Sequence, residues 1–433
     1  MVRGAEPETT EVFNSNNNNW MEKRWIYRDV PSKDRVAELS KAINTSAISS
    51  ALLLQRGVSD FESARLFFRP DLANLHDPFL MKDMEKAVVR LKRALDEEEK
   101  ILIYGDYDVD GTTAVALVYS YLRKFYPHCE FYIPDRHAEG YGVSLAGVEW
   151  AAQNEFTLII ALDCGIKASE IVSLAKRKGI DFIICDHHLP DDSIPEAVAV
   201  LDPKQTNCHY PCPELSGCGL GFKFMQAFAR RYRNESELMQ YLDLVAVSIA
   251  SDIVPITDEN RILCYYGLKK LNDNPSPGLK ALKDVADIKS DLDVSGVVFT
   301  LGPRINAAGR VAHGRAAVEL LISKTEEEAN ALAKKINLRN DERREFDSSI
   351  TEEAIAMIES DATLRSAKST VLFKNSWNKG VIGIVAARCV EKYYRPTVIL
   401  TESNNKITGS ARSVNGFNLY SAILGCSDLL EKF

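Results

Sequence analysis

The stretch Ile101–Ala114, "ILIYGDYDVDGTTA", places Asp106, Asp108 and Asp110 on alternate residues after an apolar run and closes them with a glycine. Carboxylates this close repel one another unless a cation is present. A calcium loop of the EF-hand type opens with the same Asp-x-Asp-x-Asp-Gly pattern but needs a bidentate glutamate at its twelfth position. Counted from Asp106, that position is Leu117, which cannot ligate. An EF-hand also needs a helix before the loop, whereas "KILIYG" is a continuous apolar run of strand character. After it, "TTAVALVYSYLRKF" carries apolar residues at helical spacing. The unit reads as strand, acidic loop, helix. Its carboxylates therefore stand at the C-terminal end of a strand, where open α/β sheets bind their ligands.

The 433 residues are more than one ordinary domain needs, and two or three domains are expected. With 45% hydrophobic and 26% charged residues, the composition is that of a globular chain. No apolar run approaches the ~20 residues of a membrane helix, and no secretory signal opens the sequence. The formal charge of −8 argues against a protein that coats nucleic acid by bulk charge, while leaving room for a local basic groove. Nine cysteines without regular pairing suit free thiols in a reducing, cytoplasmic compartment. Among them, Cys208, His209, Cys212 and Cys218 have only one close Cys pair and no matching second pair, which favours a structural loop over zinc.

Residues 1–20, with their Asn run, read as a disordered extension, and 21–99 as a helical region. From Lys100 strands and helices alternate: "CEFYIPD", "TLIIALDCG", "DFIICDHH" and "AVAVLDP" are further strands with helical segments between the first four. Such alternation implies a parallel sheet covered on both faces. "ESELMQYLDLVAVSIASDIV" reads as one long buried helix. Thr325–Ser360 reads as a charged connecting helix with a thin apolar stripe. A second α/β pattern fills 361–433, and "LYSAILGCSDLLEKF" reads as a final helix that stops without a cap. The fold class expected is thus α/β: a parallel-sheet domain over 100–320 and a smaller α/β domain over 361–433, joined by a long helix.

Three strand ends carry the chemistry. Asp163 follows "TLIIAL", while Asp186, His187 and His188 follow "DFIIC". In a parallel sheet these ends share one edge with Asp106, Asp108 and Asp110. Asp252, in "SIASDIVP", adds a carboxylate at a helix end before a proline. Carboxylates with one or two imidazoles suit Mn²⁺ or Mg²⁺, not thiolate zinc. An aspartate-rich site can hold two ions, clamp a phosphate and activate water. Generic nucleotide binding is disfavoured, since neither Gly-x-x-x-x-Gly-Lys-Ser/Thr nor Gly-x-Gly-x-x-Gly after a strand is present.

In order, "DYDVDG", "LDCG", "CDHH" and "SDIVP" resemble the four signature motifs of the DHH phosphoesterase family. "GPRINAAGR" (Gly302–Arg310), "GVIGIVAAR" (Gly380–Arg388), "GSARS" (Gly409–Ser413) and "LDPKQ" (Leu201–Gln205) resemble the RecJ branch of that family and its DHH-associated domain. The resemblance covers about residues 21–433. It implies metal ligation by Asp108, Asp110, Asp163, His187 and Asp252, with Asp106 helping and Asp163 shared between two ions. It implies that His188 faces the scissile phosphate and that Asp186 orients the histidine pair. Arg304, Asn306, Arg310, Gly409, Ser410 and Arg412 match substrate-phosphate positions, a role that suits the bidentate arginine fork. Many smaller relatives have a histidine where Tyr104 stands here.

The activity implied is metal-dependent hydrolysis of single-stranded DNA, cut stepwise from the 5′ end to mononucleotides in repair and recombination. A single-strand-binding protein and a helicase are the partners implied. Two rivals within the family are an enzyme for short oligonucleotides or cyclic dinucleotides and a non-catalytic scaffold; the filled ligand positions weigh against the scaffold. Relatives of the RecJ branch continue with a Gly-Gly-His stretch and an OB-fold. Neither is in this sequence, so the chain is expected to be a C-terminally truncated piece with weakened DNA binding.

Overall fold

The computed structural model describes residues 25–431 apart from 137 and 312, with only the backbone of 310 and 311. The expected extension 1–20 lies outside the described residues. Strands β1 (Ile101–Gly105), β2 (Cys129–Tyr132), β3 (Leu158–Leu162), β4 (Asp181–Cys185) and β5 (Ala199–Leu201) form one parallel sheet in the order β2-β1-β3-β4-β5. β1 and β3 are buried along their whole length, as continuous apolar strands covered on both faces should be. Successive residues feed opposite cores: Ile101, Ile103, Leu158 and Ile160 one, Leu102, Tyr104, Ile159 and Ala161 the other.

The chain leaves β1 for β2 on one side, then returns past β1 to lay β3 on the other. The crevice between β1 and β3 is thus a topological switch point, the place where such sheets bind ligands. Register sharpens this. Gly105 pairs with Leu162, Leu162 with Cys185, and Cys185 with Leu201. The next residue of each strand is an aspartate, so Asp106, Asp163, Asp186 and Asp202 form a row across four adjacent strand ends.

The helix after β1 spans Val109–Leu122 and starts earlier than its apolar spacing suggests. Asp108 caps it, accepting a hydrogen bond from the Gly111 amide at 3.0 Å, so Asp110 lies in the first helical turn and not in a loop. The segment expected as one long helix is divided into a 3₁₀ turn, Glu235–Tyr241, and an α-helix, Leu242–Ser251, at whose end Asp252 forms the cap. The final helix is likewise shorter, Leu419–Leu424, followed by a 3₁₀ turn, Ser427–Leu429.

Two compact units emerge, Ala37–Ile350 and a second made of Thr351–Phe433 with the segment up to Val36. From Ala37 on, the helical segments before β1 belong to the sheet's unit; Met84, Val88 and Leu91 share a core with Ile101 and Ile103. The 35-residue helix Glu326–Ser360 contains the boundary. In the second unit, β6 (Thr370–Phe373) runs parallel to β7 (Thr397–Ser403), and β8 (Lys406–Arg412) antiparallel to it. The helix Ile382–Tyr393 makes the crossover and packs on β7 and β8.

Glycines let the helix Gly302–Val311 reach the acidic end of β1. A Cβ on Gly302 would lie 3.0 Å from Ser251 Oγ, and one on Gly309 would lie 2.7 Å from the Tyr107 carbonyl oxygen. The helix is therefore seated between the residue before Asp252 and the residue between Asp106 and Asp108. Gly309→Val is expected to destabilise the chain by about 1–3 kcal/mol, the usual range for overpacking. Urea denaturation measures this, and a variant as stable as the parent would contradict the seating.

Candidate metal centre

His187 sits at the middle of the acidic edge. Its Nε2 lies 3.1 Å from Asp163 Oδ1, 3.6 Å from Asp110 Oδ2 and 3.6 Å from Asp252 Oδ2. Both ring nitrogens of His187, Asp163 Oδ1 and Asp106 Oδ2 are buried without a hydrogen-bond partner. Buried polar atoms nearly always have partners, so His187 Nε2 and Asp163 Oδ1, 3.1 Å apart and both without one, mark a place for a further group. Two overlapping sets, Asp163–His187–His188 and Asp110–His187–Asp252, bring ligand atoms within 4.8 Å of one another. Oxygen donors with imidazole fit Mn²⁺ or Mg²⁺. Asp106 and Asp108 line the same end without entering either set; Asp106 Oδ1 accepts from the Gly142 amide at 3.2 Å.

Burial, then the neighbouring Asp108, pushes the Asp106 carboxyl up to about 8. Burial, then Asp110 and Asp108, pushes Asp252 up to about 7. Asp108 and Asp163 move the same way for the same reasons, while burial lowers His187. A cluster of this kind holds protons unless a cation replaces them.

Asp110 is treated differently. Its Oδ2 accepts from the Gly217 amide at 2.6 Å, and its Oδ1 accepts from the Cys218 amide and the Ser248 hydroxyl, each at 2.7 Å. Gly217 and Cys218 open the helix Gly217–Tyr232, capped by Ser216, so a helix N-terminus stabilises the carboxylate. A Cβ on Gly217 would lie 2.6 Å from Asp163 Cβ, so only glycine fits there. Cys218 thus contributes its backbone, and no metal-ligating group among the described residues includes a cysteine.

Asp186 holds the second histidine. Its Oδ1 lies 2.7 Å from His188 Nδ1 and also accepts from the His187 and His188 amides, while Oδ2 accepts from the Ile166 amide. Burial opposes the charge on Asp186, but the hydrogen bonds from His188 and Ile166 outweigh it and hold its carboxyl below the ordinary range. The same bond raises His188 above the ordinary imidazole value.

Several participants carry no side-chain signature in the sequence. Tyr141 places its hydroxyl 3.2 Å from His188 Nε2, on a loop bracketed by Gly140 and Gly142, both with positive φ. Tyr104 supports that loop from below, donating to the Gly142 carbonyl at 3.1 Å and accepting from the Ser144 amide at 3.1 Å. Tyr104 thus braces the loop that carries Tyr141. Asp202 completes the row; its Oδ1 accepts from the Lys204 amide at 2.7 Å, and its Oδ2 is buried without a partner. Arg136 lies 5.0 Å from the centre of the Tyr107 ring.

The expected phosphate contacts fall in both units. Arg304 and Asn306 lie on the helix seated against Ser251 and Tyr107; Arg304 donates to Asn337 Oδ1 at 2.9 Å and to the Thr300 carbonyl at 2.8 Å. Arg310 is on that helix too, but its side chain lies outside the described residues. Gly409, Ser410 and Arg412 are on β8 of the second unit. A Cβ on Gly383 would lie 2.9 Å from Ser410 Oγ and 3.1 Å from an Arg412 guanidinium nitrogen, so those two side chains gather at the start of the Ile382–Tyr393 helix.

The raised carboxyls set the pH response. Asp106 binds more protons folded than unfolded between 3.8 and about 8, so its contribution is fully present below the unfolded value and lost as pH rises through about 8. The metal-free chain should therefore lose thermal stability from about pH 4 to about pH 8. Mn²⁺ should raise the midpoint by a few degrees near pH 8 and less near pH 6, because it competes with protons. Calorimetry tests this, and an equal Mn²⁺ effect at both pH values would contradict it.

Comparison with known proteins agrees with this geometry. The DHH family, N-terminal domain, is matched over residues 100–249. The single-stranded-DNA-specific exonuclease RecJ of Bacillus subtilis (strain 168) is 40% identical over 407 residues, which is 93% of this chain and 51% of that protein. The corresponding protein of Dickeya dadantii (strain 3937) is 33% identical over 89% of this chain and 69% of its own length. The crystal structure of RecJ in complex with Mn²⁺ from Thermus thermophilus superposes with a TM-score of 0.78 at 25% identity, over 93% of this chain and 57% of that one. The chain thus spans about half the length of the Bacillus subtilis relative. With its parallel sheet, its strand-end aspartates and its two histidines, it belongs to the RecJ family of DHH proteins.

Proposed function

We propose that this chain carries the catalytic part of a metal-dependent exonuclease that hydrolyses single-stranded DNA from the 5′ end, releasing 5′-mononucleotides. The observation that carries the reading is the set of buried, partnerless oxygen and imidazole atoms at the β1–β3 switch point. The names of the relatives supply the substrate class.

In this reading Asp110, Asp163, His187 and Asp252 would hold one Mn²⁺ or Mg²⁺, and Asp106 and Asp108 would help to hold a second. Ions there supply Lewis-acid stabilisation of phosphate oxygens and lower the pKa of an attacking water. The chain's own residues do the rest. Asp186 fixes the ring of His188 and favours its protonated form, so that Nε2 can donate to a phosphate oxygen as charge builds. Tyr141 shares that nitrogen and must give way to, or align, the substrate. Arg304, Asn306, Arg310, Ser410 and Arg412, with the Gly409 backbone, bind phosphates of the strand. A helicase and a single-strand-binding protein are partners suited to such an enzyme, since both handle the strand it degrades. Among the described residues no helix is long and apolar enough to cross a membrane.

Mn²⁺-dependent release of nucleotides from a 5′-labelled single strand tests the proposal. Asp163→Ala should lower the rate by at least about 100-fold. Asp186→Asn should lower it about 10–100-fold with Mn²⁺ binding retained, as for a residue that orients another. Equal cleavage of a duplex would remove the single-strand selectivity, and preference for a dinucleotide over the long strand would replace the reading with a smaller phosphodiester substrate. Full activity in Asp163→Ala would place the chemistry elsewhere.

A further inference from the structure

Directly after Asp252 the backbone turns left-handed at Ile253, with φ of 60°. That conformation is uncommon outside glycine, and a β-branched residue in it is a genuine outlier. Every other described non-glycine residue with positive φ is Asn, Asp, Glu or Tyr, so Ile253 alone is β-branched. The position follows the cap of the Leu242–Ser251 helix, where glycine is the usual choice. The turn alone therefore does not account for isoleucine. Packing does not account for it either, because Ile253 is 79% exposed.

The side chain thus carries two costs, backbone strain and exposed carbon, and gains nothing inside the fold. Strain of this sort collects at functional sites. Its neighbour Asp252 places Oδ2 3.6 Å from His187 Nε2, so Ile253 follows directly on a centre whose groups, apart from the Tyr141 ring, are charged. The charged groups suit phosphate. What they leave unmatched in a nucleic-acid strand is the nucleoside, and every base has an apolar face whatever its identity.

We infer that Ile253 is a substrate-contacting residue, an aliphatic platform against which a nucleoside next to the bound phosphate packs without regard to base sequence. The inference rests on the nuclease reading above. It accounts for a strained, exposed aliphatic one residue after Asp252, where glycine would terminate the helix better.

The test reads stability and affinity on the same variants of the whole chain, using fluorescence anisotropy of a labelled oligothymidylate without added metal, and thermal unfolding. Ile253→Gly should unfold at the same or a higher temperature, because the strain is relieved, and should bind the strand about tenfold more weakly. Ile253→Asn, which also accepts the left-handed turn, should show the same loss. Ile253→Leu should stay within about twofold of the parent, because apolar surface is kept. Unchanged affinity in the Gly variant would overturn the inference, as would affinity lost together with thermal stability, which marks a structural role. Equal loss in the Leu variant would also overturn it. A parent chain that binds no single strand would overturn this inference, while the nuclease reading stands or falls on the Mn²⁺-dependent release assay; a parent that binds while Gly matches it removes the inference alone.

Discussion

Crowded negative charge is the constraint on which this structure turns. Four aspartates stand in a row across adjacent strand ends, and Asp108, Asp110 and Asp252 approach the same edge. Each must find a counter-charge, a proton or a donor. Asp110 is satisfied by a helix N-terminus and a serine, and Asp186 by a histidine and backbone amides. Asp106, Asp163 and Asp202 each keep an oxygen buried and unmet. The close approaches at Gly217 and Gly309 serve this arrangement, since a side chain at either would push elements away from the acidic edge.

The two histidines share a sequence motif and divide the work. His187 is buried among carboxylates with neither nitrogen engaged, which suits a ligand. His188 is bound at Nδ1 by Asp186 and reaches outward to Tyr141, which suits a group that meets substrate. One aspartate, fixed by the His187, His188 and Ile166 amides, sets the pair apart.

The sheet was legible because parallel strands buried on both faces read as unbroken apolar runs, and the acids that follow those runs must share an edge. Asp163, Asp186, His187 and His188 could be placed by that logic alone. Helix limits were less legible. Apolar spacing located the Val109–Leu122 helix but not its first turn, which Asp108 starts by capping. The amide cradle around Asp110 was invisible, because backbone N–H groups leave no residue-type signal; "SGCG" showed only small residues and a cysteine that suggested other chemistry. Tyr141 and Asp202 were missed for a related reason. Their places depend on loop closure and on the pairing of β4 with β5, which a local pattern does not encode. Arg304, Asn306 and Arg310 came from resemblance, and only the contacts of Gly302 and Gly309 show that their helix is seated near the acidic edge.

The strand order also governs how such a protein can come into being on the ribosome. β1 and β3 are neighbours in the sheet, yet β2 and its connections are synthesised between them, and the carboxylate at Asp252 emerges later still. No stretch that ends before the Leu242–Ser251 helix contains the whole centre, because Asp106 awaits Asp163, and Asp110 awaits both Gly217 and Ser248. A nascent or prematurely released product therefore carries acids without their cradle and histidine without its last carboxylate. The order of synthesis therefore leaves completion of the centre to the Leu242–Ser251 helix and the carboxylate that caps it.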